Sequence, residues 1–227
     1  MRDWHNMYGG REWRVTPAGI ETRDGGRVTL HRTPGEPLSV RLYLAFWGGA
    51  LVHAATVARV PVSLLLMTIC TENGAARVDG NKLVYPAIRK EPGYRSDKET
   101  PHRISVGPCH VLLSTARAVL GRPKLTREEL ADPALNILAA AQYIADQSGK
   151  TRLDPILVAA AYNAGGLYQT SQNPWRLRST GNHLDRAAAW YGDACDVLAD
   201  AGALAELDAE GYGRVAFAAE EVEWSRG

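Results

Sequence analysis

The chain has 227 residues, 45% apolar and 22% charged, with 26 basic against 25 acidic side chains and a formal net charge of +1. That size and balance suit a folded domain with a full core, and they argue against a disordered chain, a fibrous repeat or a dedicated nucleic-acid binder. Cys70, Cys109 and Cys195 cannot all pair within the chain and have no zinc-like spacing, so they read as buried small hydrophobes; neither a metal nor any other cofactor is expected.

Met1 to Asn6 lack the apolar core of a secretion signal. Between residues 13 and 31, Ile20 and Thr22 alternate with polar neighbours, Asp24-Gly25-Gly26 signals a turn, and Val28 and Leu30 resume the alternation; this predicts a small β element. Residues 1–35 are therefore assigned to an N-terminal extension. Glu36-Pro37 opens a helix predicted from about Leu38 to Arg59. Val60-Pro61 interrupts it, with Pro61 fit to be the first residue of a second helix that stops at Asn73-Gly74. The most apolar region, Val40 to Cys70, is broken by Arg41, His53, Arg59 and Pro61, which argues against a membrane span.

From Gly74 to Gly107 the chain is polar, and Pro86, Pro92, Gly93 and Pro101 block long helices. Basic residues outnumber acidic ones there, which suits either a solvated loop or contact with an anionic polymer. A helix is expected from His110 to Leu120, ending at Gly121. Thr126-Arg127-Glu128-Glu129 forms a capping box, and Asp132-Pro133 and Asp154-Pro155 each pair an N-cap with proline at the first helical position. Those helices should run to about Gln147 and Asn163, with a last one from about Leu184 to Ala201. From Asp196 onward eight acidic residues face only Arg214 and Arg226, so that stretch carries −6 and leaves +7 on the rest. Residues 36–200 are assigned to the main domain, and 201–227 to an acidic tail.

Glu72 stands out chemically. It ends the apolar run Val62 to Thr71, where a carboxylate is costly unless hydrated, paired or protonated. Partial desolvation and the negative end of the helix dipole would both favour its neutral form, which a general acid needs. The plainer interpretation is a helix end pointing into water. The candidate partners for a two-carboxylate site, Asp79, Glu91 and Asp97, all lie in the polar loop and lack such an apolar lead-in.

Further along come Ser105-Val106-Gly107-Pro108-Cys109-His110 followed by Ser114-Thr115-Ala116, then Asn136-Ile137 ahead of Tyr143-Ile144, then Ala161-Tyr162-Asn163-Ala164-Gly165. In this order, with Glu72 first, the segments resemble the soluble lytic transglycosylases, relatives of goose-type lysozyme that cleave peptidoglycan glycan strands. That family typically reads Glu-Ser-Gly, Gly-Leu-Met-Gln with Ser-Thr-Ala, Asn-Ile before Tyr-Leu, and Ala-Tyr-Asn-Ala-Gly. The resemblance covers roughly residues 60 to 170 and implies an α+β, mostly helical lysozyme-like fold with a short β-rich lobe and a polar loop lining the cleft. It implies Glu72 as the acid and base that cuts the MurNAc–GlcNAc bond, with Tyr162 assisting, and a 1,6-anhydro product. It places Asn73, Ser105, Cys109, His110, Tyr143 and Asn163 at the substrate, whereas Asn136 reads as structural and Asn163 also as a helix cap.

There are departures. Asn73 stands where the family has Ser, and Pro108-Cys109-His110 where it has Leu-Met-Gln. The adjacent Cys109-His110 pair admits a cysteine-peptidase reading, although nucleophile and base normally meet through the fold. The sequence also admits a goose-type muramidase that uses water, or a non-catalytic wall-binding or virion protein. Without a signal, the expected route to the wall is a holin-like pore or carriage on a phage particle.

Overall fold

The computed structural model describes residues 3–200; the acidic tail at 201–227 lies outside the described residues. The first elements are the strands β1 (Glu12–Thr16), β2 (Gly19–Asp24) and β3 (Arg27–Leu30), an antiparallel meander in that order. The turn expected at Asp24-Gly25-Gly26 joins β2 to β3, with Asp24 opposite Arg27. Trp13, Val15 and Ile20 of this sheet enter the main core, whereas every residue of β3 is exposed.

Helix α1 (Leu38–Ala58) ends at Arg59 in the left-handed conformation, and α2 (Val62–Asn73) follows. Pro61 is the N-cap of α2, at ψ 142°, rather than its first turn; the extended conformation that Val60-Pro61 imposes persists one residue further than expected. A break at Trp47 (φ −128°) kinks α1 just before Gly48-Gly49, where two residues without side chains weaken the helix. By length and composition α1 would suit a bilayer. Its Val40, Tyr43, Leu51, Val52 and Ala55 are buried in the protein core, as in the central helix of a folded domain.

The polar stretch folds into the expected β-rich lobe. Strands β4 (Arg77–Asp79) and β5 (Lys82–Val84) make a hairpin. Strands β6 (Ile88–Lys90), β7 (Ile104–Val106) and β8 (Val111–Leu112) make a second sheet, with a 3-10 turn at Pro101–Arg103 leading into β7. Helices α3 (Leu113–Val119), α4 (Arg127–Leu130), α5 (Pro133–Asp146), α6 (Ser148–Thr151), α7 (Pro155–Ala164) and α8 (His183–Ala199) complete the described chain. The helix expected from His110 begins only at Leu113, because Val111 and Leu112 pair with Val106 and Ser105 instead. The capping box at Thr126 and the N-caps Asp132 and Asp154 form as expected. The architecture is α+β and mostly helical, consistent with the lysozyme-like fold.

The N-terminal meander lies directly on α8. A Cβ on Gly192 would stand 2.1 Å from the carbonyl oxygen of His31, and one on Gly19 2.7 Å from Cα of Gly192. Thr33 completes the junction through its backbone N–H, 3.1 Å from Asp193, and its hydroxyl, which donates to the same carboxylate. Alanine normally stabilises a helix interior relative to glycine by roughly 0.5–1 kcal/mol. Here the sign inverts: Gly192→Ala is expected to lower stability by more than about 2 kcal/mol, because backbone rather than a movable side chain occupies the space. Thermal denaturation checks this; an unchanged or raised midpoint would contradict the packing.

Candidate active site

Ten residues of α2, Val62 to Thr71, are buried, and Glu72 is the first to regain solvent, its side chain 17% exposed. Gly74 then turns the chain away at φ 75°, ψ −143°, a conformation with positive φ but not the left-handed helical one, while its N–H closes the last turn on Cys70. The carboxyl thus stands at the end of an apolar rod, as the sequence implies. The negative end of α2 is not bare, however. Arg186 of α8 donates from its guanidinium to the Thr71 carbonyl, placing a cation where the helix dipole is negative. That contact offsets one of the two features expected to favour the neutral acid. Nothing in the sequence near Glu72 signals it, since Arg186 arrives from the far end of the chain.

His110 faces Glu72, with Nδ1 3.6 Å from Oε2, and its Nε2 lies 3.1 Å from the Pro86 carbonyl. Its side chain is only 7% exposed. His110 adopts φ 45°, a left-handed conformation uncommon for a residue with a side chain. The turn from Gly107 that imposes it is held from several directions. Asn136, fully buried, accepts from the Cys109 N–H at 2.8 Å and donates to the carbonyls of Val106 (2.8 Å) and Leu130 (3.2 Å). Tyr162 donates its hydroxyl to the Cys109 carbonyl at 2.8 Å. Asn73 donates to the Pro108 carbonyl. Gly107 is required twice over, by φ 74° and by the Asn136 amide, which a Cβ would meet at 2.4 Å.

The expected site residues therefore divide. Glu72, Asn73, Cys109, His110 and Tyr162 converge on one turn. Tyr143 joins them through an edge-to-face contact with Tyr162, ring centres 5.3 Å apart. Tyr162 is pushed well above the ordinary phenol range by burial first, then by charge at Cys109, Glu72 and Tyr143, so it remains a donor. Cys109 contributes only its backbone: its side chain is wholly buried, and burial followed by the Glu72 charge disfavours the thiolate. A cysteine-nucleophile reading has no support from that environment. Ser105 is buried in β7, 5% exposed, opposite Leu112. Asn163 does not cap α7, which ends at Gly165 with φ 76°; its side chain instead accepts from the Thr180 N–H at 2.9 Å and ties down the segment before α8.

The loop acids are engaged elsewhere. Asp97 accepts from Tyr94 at 2.6 Å and faces Arg127 at 3.5 Å, while Glu91 faces Arg89 at 3.4 Å. Asp79 is exposed at the end of β4, opposite Lys82. His183, which carries no motif in the sequence, stands within the field of Glu72. Burial lowers its pKa most, the Glu72 carboxylate raises it, and Arg186 lowers it again, leaving the ring biased toward neutrality. A cavity of about 570 Å³ lies away from these residues, between Gly10–Glu12, the Arg23–Gly26 turn and Pro174–Arg176.

Asn136→Ala strands the Cys109 N–H and two carbonyls, and is expected to destabilise by about 3 kcal/mol, roughly 1 kcal/mol per lost bond; urea unfolding reads it. All three cysteines are buried thiols, so a water-soluble disulfide reagent should label none of them until denaturant is added.

Residues 82–176 match the family model described as the transglycosylase SLT domain. That span holds the Gly107–His110 turn, Asn136, Tyr143, Tyr162 and Asn163, and begins after Glu72. No curated protein and no solved structure matches the chain. Over those residues, from β5 to the loop before α8, the chain is similar to the SLT domain, the domain of lytic transglycosylases, which are enzymes.

Proposed function

We propose that the protein cleaves the β-1,4 bond between N-acetylmuramic acid and N-acetylglucosamine with Glu72 as sole acid and base, leaving 1,6-anhydro ends. The supporting observation is the placement of Glu72 at the partly open end of α2, against the turn that the matched domain builds. Protonated Glu72 passes its proton to the glycosidic oxygen as the C1–O bond breaks. The resulting carboxylate then takes the proton of the muramoyl C6 hydroxyl as O6 bonds to C1, and the acid is regenerated. One carboxyl suffices because the nucleophile belongs to the substrate and acts at high effective concentration. The engagement of Asp97 and Glu91 with basic partners favours this over a water-activating second carboxylate.

Tyr162 and Tyr143 would form an aromatic wall beside the acid, and the Asn73 amide would hold the turn that the family's serine position borders. Glu72→Gln is expected to reduce glycan cleavage by at least about a hundredfold with an unchanged circular dichroism spectrum. Mass spectrometry of digested sacculi should show 1,6-anhydromuropeptides. Reducing ends alone would instead indicate a goose-type muramidase, and full activity of the variant would remove Glu72 from its role.

A further inference from the structure

The imidazole of His110 is constrained more tightly than a sugar contact requires. Its backbone is in the left-handed region, and the preceding residue is held at both its N–H and its carbonyl by Asn136 and Tyr162. A non-glycine residue kept in that conformation by its surroundings is a familiar signature of a functional position. Further, Nε2 lies 3.1 Å from a carbonyl oxygen, which can only accept. Nε2 must therefore carry a hydrogen in every protonation state that keeps this bond. The consequence falls on Nδ1, the atom 3.6 Å from Glu72 Oε2. A neutral ring offers Glu72 a lone pair, and a charged ring offers it a donor and a positive charge.

From this geometry we infer that His110 is a positioning residue that selects the protonation form of Glu72: the neutral ring supports the protonated acid, and the charged ring supports the carboxylate. The inference rests on Glu72 being the acid of the proposed reaction. Neutral His110 can only accept from a protonated Glu72, and so fixes that carboxyl without discharging it. Charged His110 pairs with the carboxylate and withdraws the acid from the first step, although the carboxylate would still serve the second. No proton is created or lost over a turnover, because Glu72 gives one to the leaving oxygen and recovers one from the C6 hydroxyl while the ring stays neutral. The separation of 3.6 Å is that of an ion pair rather than a hydrogen bond, so the coupling is electrostatic until the two groups close up.

Other groups bear on the pair from each neighbouring element. Arg186 and His183 reach it from α8, with Arg186 held on the Thr71 carbonyl and His183 biased to neutrality. Tyr162 comes from α7 and Cys109 from the turn itself, both held in their neutral forms by burial. Tyr85, half-buried beside Pro86, is likewise shifted upward by burial. His110 is thus the group in this set whose ring nitrogen both faces Glu72 and has its hydrogen placement dictated by a carbonyl.

The test has an arm that does not depend on activity. Nitrogen NMR of the intact protein should find neutral His110 with hydrogen on Nε2 and none on Nδ1, and Glu72→Gln should move the Nδ1 resonance while leaving Nε2 nearly in place. Hydrogen on Nδ1 in the neutral ring, or an Nδ1 signal indifferent to Glu72→Gln, would overturn the inference. The second arm compares kcat against pH for the wild type, His110→Gln and His110→Asn, the last tolerant of the left-handed backbone. Activity should fall as the pH rises and the acid form of Glu72 is lost, and that fall should begin at a lower pH in the wild type than in the two variants, because a charged ring favours the carboxylate. Identical profiles would overturn it as well. If the wild type yields no anhydro product while the nitrogen results stand, the proposed reaction fails and the Glu72–His110 pairing does not.

Discussion

The Asn136 amide is fully buried and has its oxygen on the Cys109 N–H and its nitrogen on the carbonyls of Val106 and Leu130. These bonds join α5 to the strand before the turn, the turn itself and the end of α4. A buried amide left unsatisfied costs about 1–3 kcal/mol per group, so the side chain, its partners and Gly107 are mutually obligatory. Tyr162 adds a second anchor from α7 and Asn73 a third from α2. Three helices that meet nowhere in sequence thereby fix one short turn. The orientation of His110 toward Glu72 follows from that closure and not from any preference of its own, which for a residue with a Cβ would be against φ 45°.

The environment of Glu72 is more balanced than an apolar helix end alone would suggest. Burial of ten preceding residues brings apolar surroundings up to the carboxyl. The guanidinium of Arg186 on the Thr71 carbonyl works in the opposite sense by answering the helix dipole. His183, whose pKa burial lowers and the Glu72 charge raises, lies within its field, and His110 Nδ1 stands 3.6 Å from it. In the proposed reaction the carboxyl alternates between donor and acceptor, which such offsetting influences serve better than a single strong one.

Most helix boundaries were legible where a local signal fixed them, Pro61 being the exception, since it caps α2 instead of opening it. The capping box at Thr126, the Asp-Pro pairs at 132 and 154, and the glycine stop at 74 act through neighbouring backbone groups, and all appear where the sequence places them. The other errors lie where distant partners decide. Helical spacing after His110 was real, but pairing of Val111 and Leu112 with β7 delayed the helix to Leu113. Asn163 carries a capping signature, yet Thr180 lies near enough to claim its oxygen. The motif residues were found by resemblance, but their division into those that hold the turn and those that face Glu72 depends on three helices coming together. Arg186 and His183 carried no signal: Arg186 reads as an ordinary member of the last helix, and His183 precedes the start expected at about Leu184.

The N-terminal meander extends the same chain of dependence. Trp13, fully buried, donates its indole N–H to the Asp154 carboxylate at 3.2 Å, and that carboxylate is the N-cap that accepts from Ile156 and Leu157 at the start of α7. At the other end of α7 stand Tyr162, which holds the Cys109 carbonyl, and Asn163, which holds Thr180. Trp13 also meets Trp175 edge to face at 5.6 Å, and Trp175 donates to Asp185 in the first turn of α8. The sheet thus bears on both helices that flank the acid: on α7 through its cap, and on α8 through Trp175 and the close approach at Gly192. Residues 12–30 lie far from Glu72 in sequence, and β3 is fully exposed. Their inner face nevertheless packs on the two helices that carry Tyr162 and Arg186, so the meander belongs to the same closed set of contacts as the turn.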